Sequence, residues 1–182
     1  SDLFKASHEG RAEVVTDHIE SFTETGLRLR SGKELPADLV VTATGLRLRF
    51  LGGLAVTIDG TPVDAPSLLV YKGMMLSGVP NLAFAVGYTN ASWTLKCDLT
   101  SRYVCRLRNY MGAHHKDVCM PRRDPDVDEL PLIDFSSGYV QRALAELPKQ
   151  GTSVPWRLYQ NYALDLVTLQ HGRVDDAAMQ FS

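Results

Sequence analysis

No Gly-x-Gly-x-x-Gly turn occurs in this sequence, so it carries no loop of the kind that cradles a dinucleotide diphosphate. Cysteine is scarce: Cys97, Cys105 and Cys119 are odd in number and show no CxxC spacing, which argues against a disulfide framework or a dithiol centre and for a reduced, cytoplasmic setting. Cys97 and Cys105 fall inside one helical pattern, where thiols are expected as small buried hydrophobes. No uninterrupted apolar run approaches the roughly 18 residues of a membrane helix, and no basic-plus-apolar signal opens the chain. Charge of one sign is lacking too. A net charge of -2 gives no electrostatic ground for nucleic acid or an anionic membrane surface. What remains is 45% hydrophobic and 22% charged over 182 residues, the composition of a globular domain or part of a larger one.

Turn signals organise the first third. Asp2–Glu9 reads as a short helix closed by Gly10. Thr25-Gly26 and Ser31-Gly32-Lys33 separate alternating segments, which predicts a small antiparallel meander. Leu39–Thr44 (LVVTAT) is nearly all apolar and β-branched, as expected of a strand buried on both faces of a parallel sheet, and Asn81–Gly87 (NLAFAVG) reads the same way. Asp59-Gly60 between β-prone residues predicts a hairpin, whereas Tyr71–Pro80 (YKGMMLSGVP) reads as irregular.

A long helix is predicted from Ala91 to about Ala113, capped by the Asn90 side chain. Trp93, Cys97, Val104, Leu107 and Met111 are read as its core face, and Lys96, Arg102, Arg106 and Arg108 as polar positions. A polar loop with the acidic stretch Asp124–Glu129 follows. Helices are then predicted over Gly138–Leu147, stopped by Pro148, and over Pro155–Gln170. The adjacent His114 and His115 lack carboxylate or thiol partners in register, and no metal site is assigned.

The stretch GYTNASWTL (Gly87–Leu95) joins the second apolar run to that helix. A strand–turn–helix unit leaves four backbone amides unpaired at the positive end of the helix dipole, a setting that favours an anionic or electron-rich ligand edge. The same turn serves equally well merely to pack an α/β unit, and Trp93 suits either core or a cavity wall.

Two glycine-ended runs, ADLVVTATG (Ala37–Gly45) and PNLAFAVGYTNASW (Pro80–Trp93), carry a resemblance to flavin-dependent monooxygenases of the flavin-containing and Baeyer–Villiger type, in particular the ethionamide monooxygenase branch. It continues through YKGMMLSGVPN, RLRNYM, ELPKQG and PWRLYQNY, and so covers nearly all the chain. It implies an α/β fold: part of a Rossmann-like, three-layer FAD/NAD(P)-binding fold, with a small β-meander and C-terminal helices. The implied division is 1–50 for the meander and linking strand, 51–113 for the C-terminal part of the FAD-binding domain with its flavin-facing helix, and 114–182 for a loop and helical extension.

By the same resemblance Thr44, Gly45, Gly87, Asn90, Ala91, Ser92, Thr94 and Leu95 approach the cofactor, while Tyr88 and Trp93 face the substrate. The implied chemistry uses FAD, NADPH and O2. A C4a-peroxyflavin then inserts oxygen beside a ketone carbonyl (the Baeyer–Villiger reaction) or oxidises a soft nitrogen or sulfur of a small organic substrate. The chain reads as a C-terminal portion of such an enzyme. Both Gly-rich turns are absent, the family's catalytic arginine would precede residue 1, and none of these residues is catalytic. The chain alone is therefore expected to be inactive and to hold no FAD, and, because part of the family's sheet and covering helices lies outside it, to pair its open strand edges in a homodimer. A second reading is a non-catalytic α/β module that binds a nucleotide or partner. A flavoprotein disulfide reductase is disfavoured by the missing CxxC.

Overall fold

The computed structural model describes residues 2–182 and divides into two compact units, Ser1–Thr44 and Gly45–Ser182. In the first, α1 (Asp2–His8) precedes an antiparallel meander of β1 (Ile19–Thr23), β2 (Gly26–Leu29) and β3 (Glu34–Pro36). Its register pairs Phe22 with Leu27 and Leu27 with Leu35, as the turn signals predict.

In the second unit a 3-10 turn (Phe50–Gly53) precedes the hairpin of β4 (Thr57–Ile58) and β5 (Thr61–Pro62). Its turn, Asp59-Gly60, has positive φ at both residues (49° and 81°), the geometry that makes Asp-Gly a hairpin signal. β6 (Val70–Tyr71) and β7 (Met75–Leu76) form a second hairpin around Lys72-Gly73, also at positive φ. The stretch expected to be irregular is thus the most buried in the chain. Two-residue strands are too short for alternation to register, but Leu69, Tyr71, Met74 and Met75 all lie inside.

α2 (Trp93–Ala113) packs over this hairpin through Leu99, Tyr103, Leu107 and Met111. Its inward stripe runs 96, 99–100, 103, 107, 111: Leu107 and Met111 are buried as expected and Val104 packs at the edge, but the first turn differs, with Trp93 61% exposed and Lys96 buried. Cys105 is exposed and Cys97 half-buried, so of the three thiols only Cys119 behaves as core.

The rest of the unit closes the core with small antiparallel pairs. β8 (Cys119–Pro121) pairs with β11 (Met179–Phe181), and β9 (Glu129–Pro131) with β10 (Lys149–Gly151). α3 (Gly138–Ala143) ends in a 3-10 turn before Pro148, as expected. The last helix is far shorter than Pro155–Gln170. α4 covers Tyr162–Asp165 and runs into a π-helical turn, Leu166–His171. Residues 155–158 bond elsewhere: the Pro155 carbonyl accepts from Lys72 N, the Trp156 carbonyl from Gly151 N, and Leu158 N donates to the Gln150 side chain. Trp156 fills the centre, edge-on to Tyr71 at 5.7 Å. Each such fully buried side chain contributes roughly 1.5–3 kcal/mol. A ring of polar contacts ties the core shut. Lys72 Nζ reaches Tyr103 Oη (3.2 Å) and Asp176 (2.7 Å), the Tyr103 and Tyr71 hydroxyls meet at 3.0 Å, and Tyr71 donates to Asp176 at 2.7 Å.

The architecture is mixed α/β, with small antiparallel sheets and C-terminal helices. Among the described residues the parallel pairing is one isolated bridge, Leu69 to Lys149. Neither expected parallel strand forms. Leu39 and Val41 are 82% and 77% exposed in an unpaired stretch, and Ala83 makes a single antiparallel bridge to Met75 while Ala85 and Val86 stay open. An apolar run is buried on two faces only where neighbours cover both: the second run has β7 on one side, with Leu82 and Phe84 packed near Val70, Leu76 and Val79, while Leu39–Thr44 pairs with no strand of its own unit. No helix among the described residues is long and apolar enough to cross a membrane.

Candidate functional site

The path into α2 is fixed from below. Asn81, at positive φ, donates its amide to the Asp117 carbonyl and accepts from Cys119 N, and Phe84 N bonds Met74 O at 2.8 Å. Gly87 and Tyr88 then turn inward, and residues 89–95 are all exposed. Gly87 is required by close approach: a Cβ there would stand 2.6 Å from Trp93 Cα and collide with the indole, so the absent side chain lets the turn fold against the helix start.

α2 begins two residues later than expected, with Ser92 rather than Asn90 at the N-cap. The Ser92 hydroxyl pairs with Thr94 Oγ1 (2.8 Å) instead of capping, and Asn90 Nδ2 donates to the Gln160 carbonyl (3.0 Å). The Asn90 cap is therefore corrected: its side chain is committed to another segment. No cap side chain covers the first-turn amides, so the positive end of a 21-residue helix faces outward among Ala91, Ser92, Thr94 and Leu95, with the Trp93 ring beside it.

The turn is held from one side by residues 160–165. Gln160 Oε1 accepts from Thr89 N (3.0 Å) and Thr89 Oγ1 (3.2 Å). One oxygen of Asp165 accepts from both Tyr88 Oη (2.7 Å) and Lys96 Nζ (2.8 Å), and the Lys96 ammonium lies 5.6 Å from the Tyr88 ring centre. Lys96 is 6% exposed and Tyr88 3%. Burial, then the bond to Asp165, pushes the Tyr88 hydroxyl well above the ordinary tyrosine range. The three groups border a small cavity of about 30 Å3 next to Gly73 and Gly87.

Of the residues singled out in the sequence, the structure thus gathers Gly87, Tyr88, Asn90, Ala91, Ser92, Trp93, Thr94 and Leu95 at one helix start. Tyr88 points inward, with its hydroxyl engaged. Thr44 ends the first unit, and Gly45 opens the second beside Tyr139 and Arg142 of α3. The sequence pattern placed Lys96 among the polar positions of the helix, which the structure corrects, and gave Gln160 and Asp165 no role. Lys96 was detectable, because it continues the 99–103–107–111 stripe by one helical turn; Gln160 and Asp165 carried no local signal. Among the described residues no group of three His, Cys, Asp or Glu side chains is placed to hold a metal ion, and His114 stacks on Tyr110.

The chain is similar along its whole length to "FAD-containing monooxygenase EthA" of Mycobacterium tuberculosis, at 56% identity, and to the protein of that name from Mycolicibacterium smegmatis, at 50%. Over 99% of its length it is 47% identical to "Probable FAD-binding monooxygenase AlmA" of Acinetobacter baylyi. It spans 37% of the length of the first two and 36% of the third. No family model matches the chain, and no solved structure does. The chain is a relative of the FAD-containing monooxygenases, which are oxidoreductases, and corresponds to part of them.

Proposed function

We propose that the chain is the C-terminal portion of a cytoplasmic FAD- and NADPH-dependent monooxygenase that uses O2 to oxygenate a ketone, or a soft nitrogen or sulfur, in a small organic molecule. The observation that carries the reading is similarity along the whole of this chain, over 37% of the relative's length, to an FAD-containing monooxygenase, in a chain whose longest helix opens outward, uncapped, from a glycine turn.

These residues fit one edge of a flavin. FAD, when bound, supplies the oxygen-activating chemistry, and the protein supplies orientation and exclusion of water. The first-turn amides of α2 would hold an electron-rich edge of the cofactor at the positive end of the helix dipole. Ala91 and Ser92 are small enough for the backbone to approach it, and Thr94 and Leu95 extend the same face. Asn90 spends its side chain on the Gln160 carbonyl and so fixes the turn. Trp93, exposed and set by its packing on Gly87, would wall the substrate space, and Tyr88, buried with its hydroxyl on Asp165, would border that space from the turn. Thr44 and Gly45 are assigned to the segment linking the cofactor-binding parts. No residue of this chain is assigned to NADPH or to the FAD diphosphate.

In this reading residues 1–50, 51–113 and 114–182 complete a Rossmann-like fold together with the remaining length seen in the relatives. The exposed apolar stretches at Leu39–Val41 and Ala83–Val86 await those neighbours, and the isolated chain covers them by forming a homodimer. The test is FAD content and NADPH-driven oxygenation in the full-length protein and in its Trp93→Ala variant. Retained FAD, with altered substrate ranking or more hydrogen peroxide released, is expected. Flavin loss with unchanged ranking reverses the role of Trp93, and a wild type without FAD overturns the reading.

A further inference from the structure

We infer that the segment Gln160–Asp165 is a positioning strut for the Gly87–Trp93 turn, and that Gln160 and Asp165 set the alignment of the proposed flavin-facing helix start without touching the cofactor. The inference rests on the reading just given.

Five hydrogen bonds run between residues 88–96 and residues 160–165, and they reach the turn at successive points. Tyr88 and Lys96 end on Asp165, the Thr89 amide and hydroxyl on the Gln160 side chain, and Asn90 on the Gln160 carbonyl. Thr89 to Leu95 nonetheless remain exposed. A surface turn that is fixed by five hydrogen bonds and still exposed has the form of a ligand-facing wall rather than of a simple connection.

Two further observations point the same way. Gln160 holds φ at 51°, the left-handed region that glutamine rarely adopts, and it is this conformation that delivers both its side chain and its carbonyl to the turn. Asn161 then caps α4 by accepting from Leu164 N (3.1 Å), which fixes the helical turn that carries Asp165. Asp165 in turn holds the buried Lys96 in the first turn of α2, where a lysine would otherwise extend into water. The strut therefore grips the turn before the helix and the helix itself.

Gln160→Gly separates positioning from fold. Glycine accepts a φ of 51° without strain and keeps the carbonyl bond to Asn90, but it removes the acceptor of both Thr89 bonds. In the FAD-loaded holoenzyme the variant is expected to melt within a few degrees of wild type. Amide exchange in Tyr88–Leu95 is expected to rise at least tenfold, the near-UV and visible circular dichroism of the bound flavin to change, and the fraction of NADPH diverted to hydrogen peroxide to increase several-fold. Lys96→Arg, which keeps the charge on Asp165, is expected to change the flavin signal less than Lys96→Met. Unchanged exchange across Tyr88–Leu95 together with an unchanged flavin signal in Gln160→Gly overturns the strut. A wild-type protein that binds no FAD overturns the flavin reading instead, and in that case the exchange result alone decides whether the segment braces the turn.

Discussion

Removing Asp165 should damage this protein more than removing Lys96, although the two form one ion pair. The side chains are 8% and 14% exposed, so water screens the pair little and an orphaned partner is left in a dry site. Lys96→Met leaves the Asp165 carboxylate with the Tyr88 hydroxyl still donating to it, at a cost of about 3–5 kcal/mol. Asp165→Leu strands both the ammonium and that hydroxyl, which adds about 1–3 kcal/mol for the unsatisfied donor. In the double variant only the Tyr88 hydroxyl is left unpaired, so its cost falls back to about 1–3 kcal/mol. Adding Tyr88→Phe brings the triple variant close to wild type, because a buried pair replaced by apolar groups of similar volume is often neutral. The assay is urea unfolding of the full-length protein followed by tryptophan fluorescence, comparing midpoints at constant slope. Additive costs, within about 0.5 kcal/mol, would refute the coupling, and equal costs for the two single variants would refute the shared acceptor.

Other consequences follow from single features. Burial holds the Tyr71 and Tyr88 hydroxyls protonated in the fold, above the ordinary value near 10, so their contribution is complete below that pH and is lost as pH rises beyond it. Alkaline melts of Tyr71→Phe should therefore fall less steeply above pH 10 than those of wild type, and parallel curves would contradict this. Gly87→Ala should destabilise by about 1–3 kcal/mol through collision with Trp93, and Trp93→Ala should relieve it only in part because the helix backbone is also too near. The 182-residue chain alone should be colourless after desalting, since no Gly-rich turn holds the FAD diphosphate, and stoichiometric yellow flavin would show that the α2 terminus suffices.

What the sequence made legible was local. Asp59-Gly60 and the turns at Thr25 and Gly32 specify their own backbone, so the hairpin and meander stand where the residues place them. The long helix was legible from its period, and so were Leu107 and Met111 on its inward face, but the first turn was misread because Trp93 outranks Lys96 on any scale of apolarity. Lys96 is inside because Asp165, 69 residues on, neutralises it, and no local rule contains that partner. Leu39–Thr44 failed for the complementary reason. Its composition states a demand for burial without naming a neighbour, and none of the described segments meets the demand. The site was legible as Gly87–Leu95, while its brace at Gln160–Asp165 depends on a left-handed glutamine that sequence pattern does not announce.

The most direct test of the flavin-facing assignment is amide hydrogen exchange of the full-length protein, first stripped of FAD and then reconstituted with it. The first-turn amides of α2, Trp93 to Lys96, and those of Gly87 to Asn90 should become protected when FAD binds, with little change in the distant β8–β11 pair. Exchange across Gly87–Lys96 that is the same with and without bound FAD would contradict the placement of this helix start at the flavin.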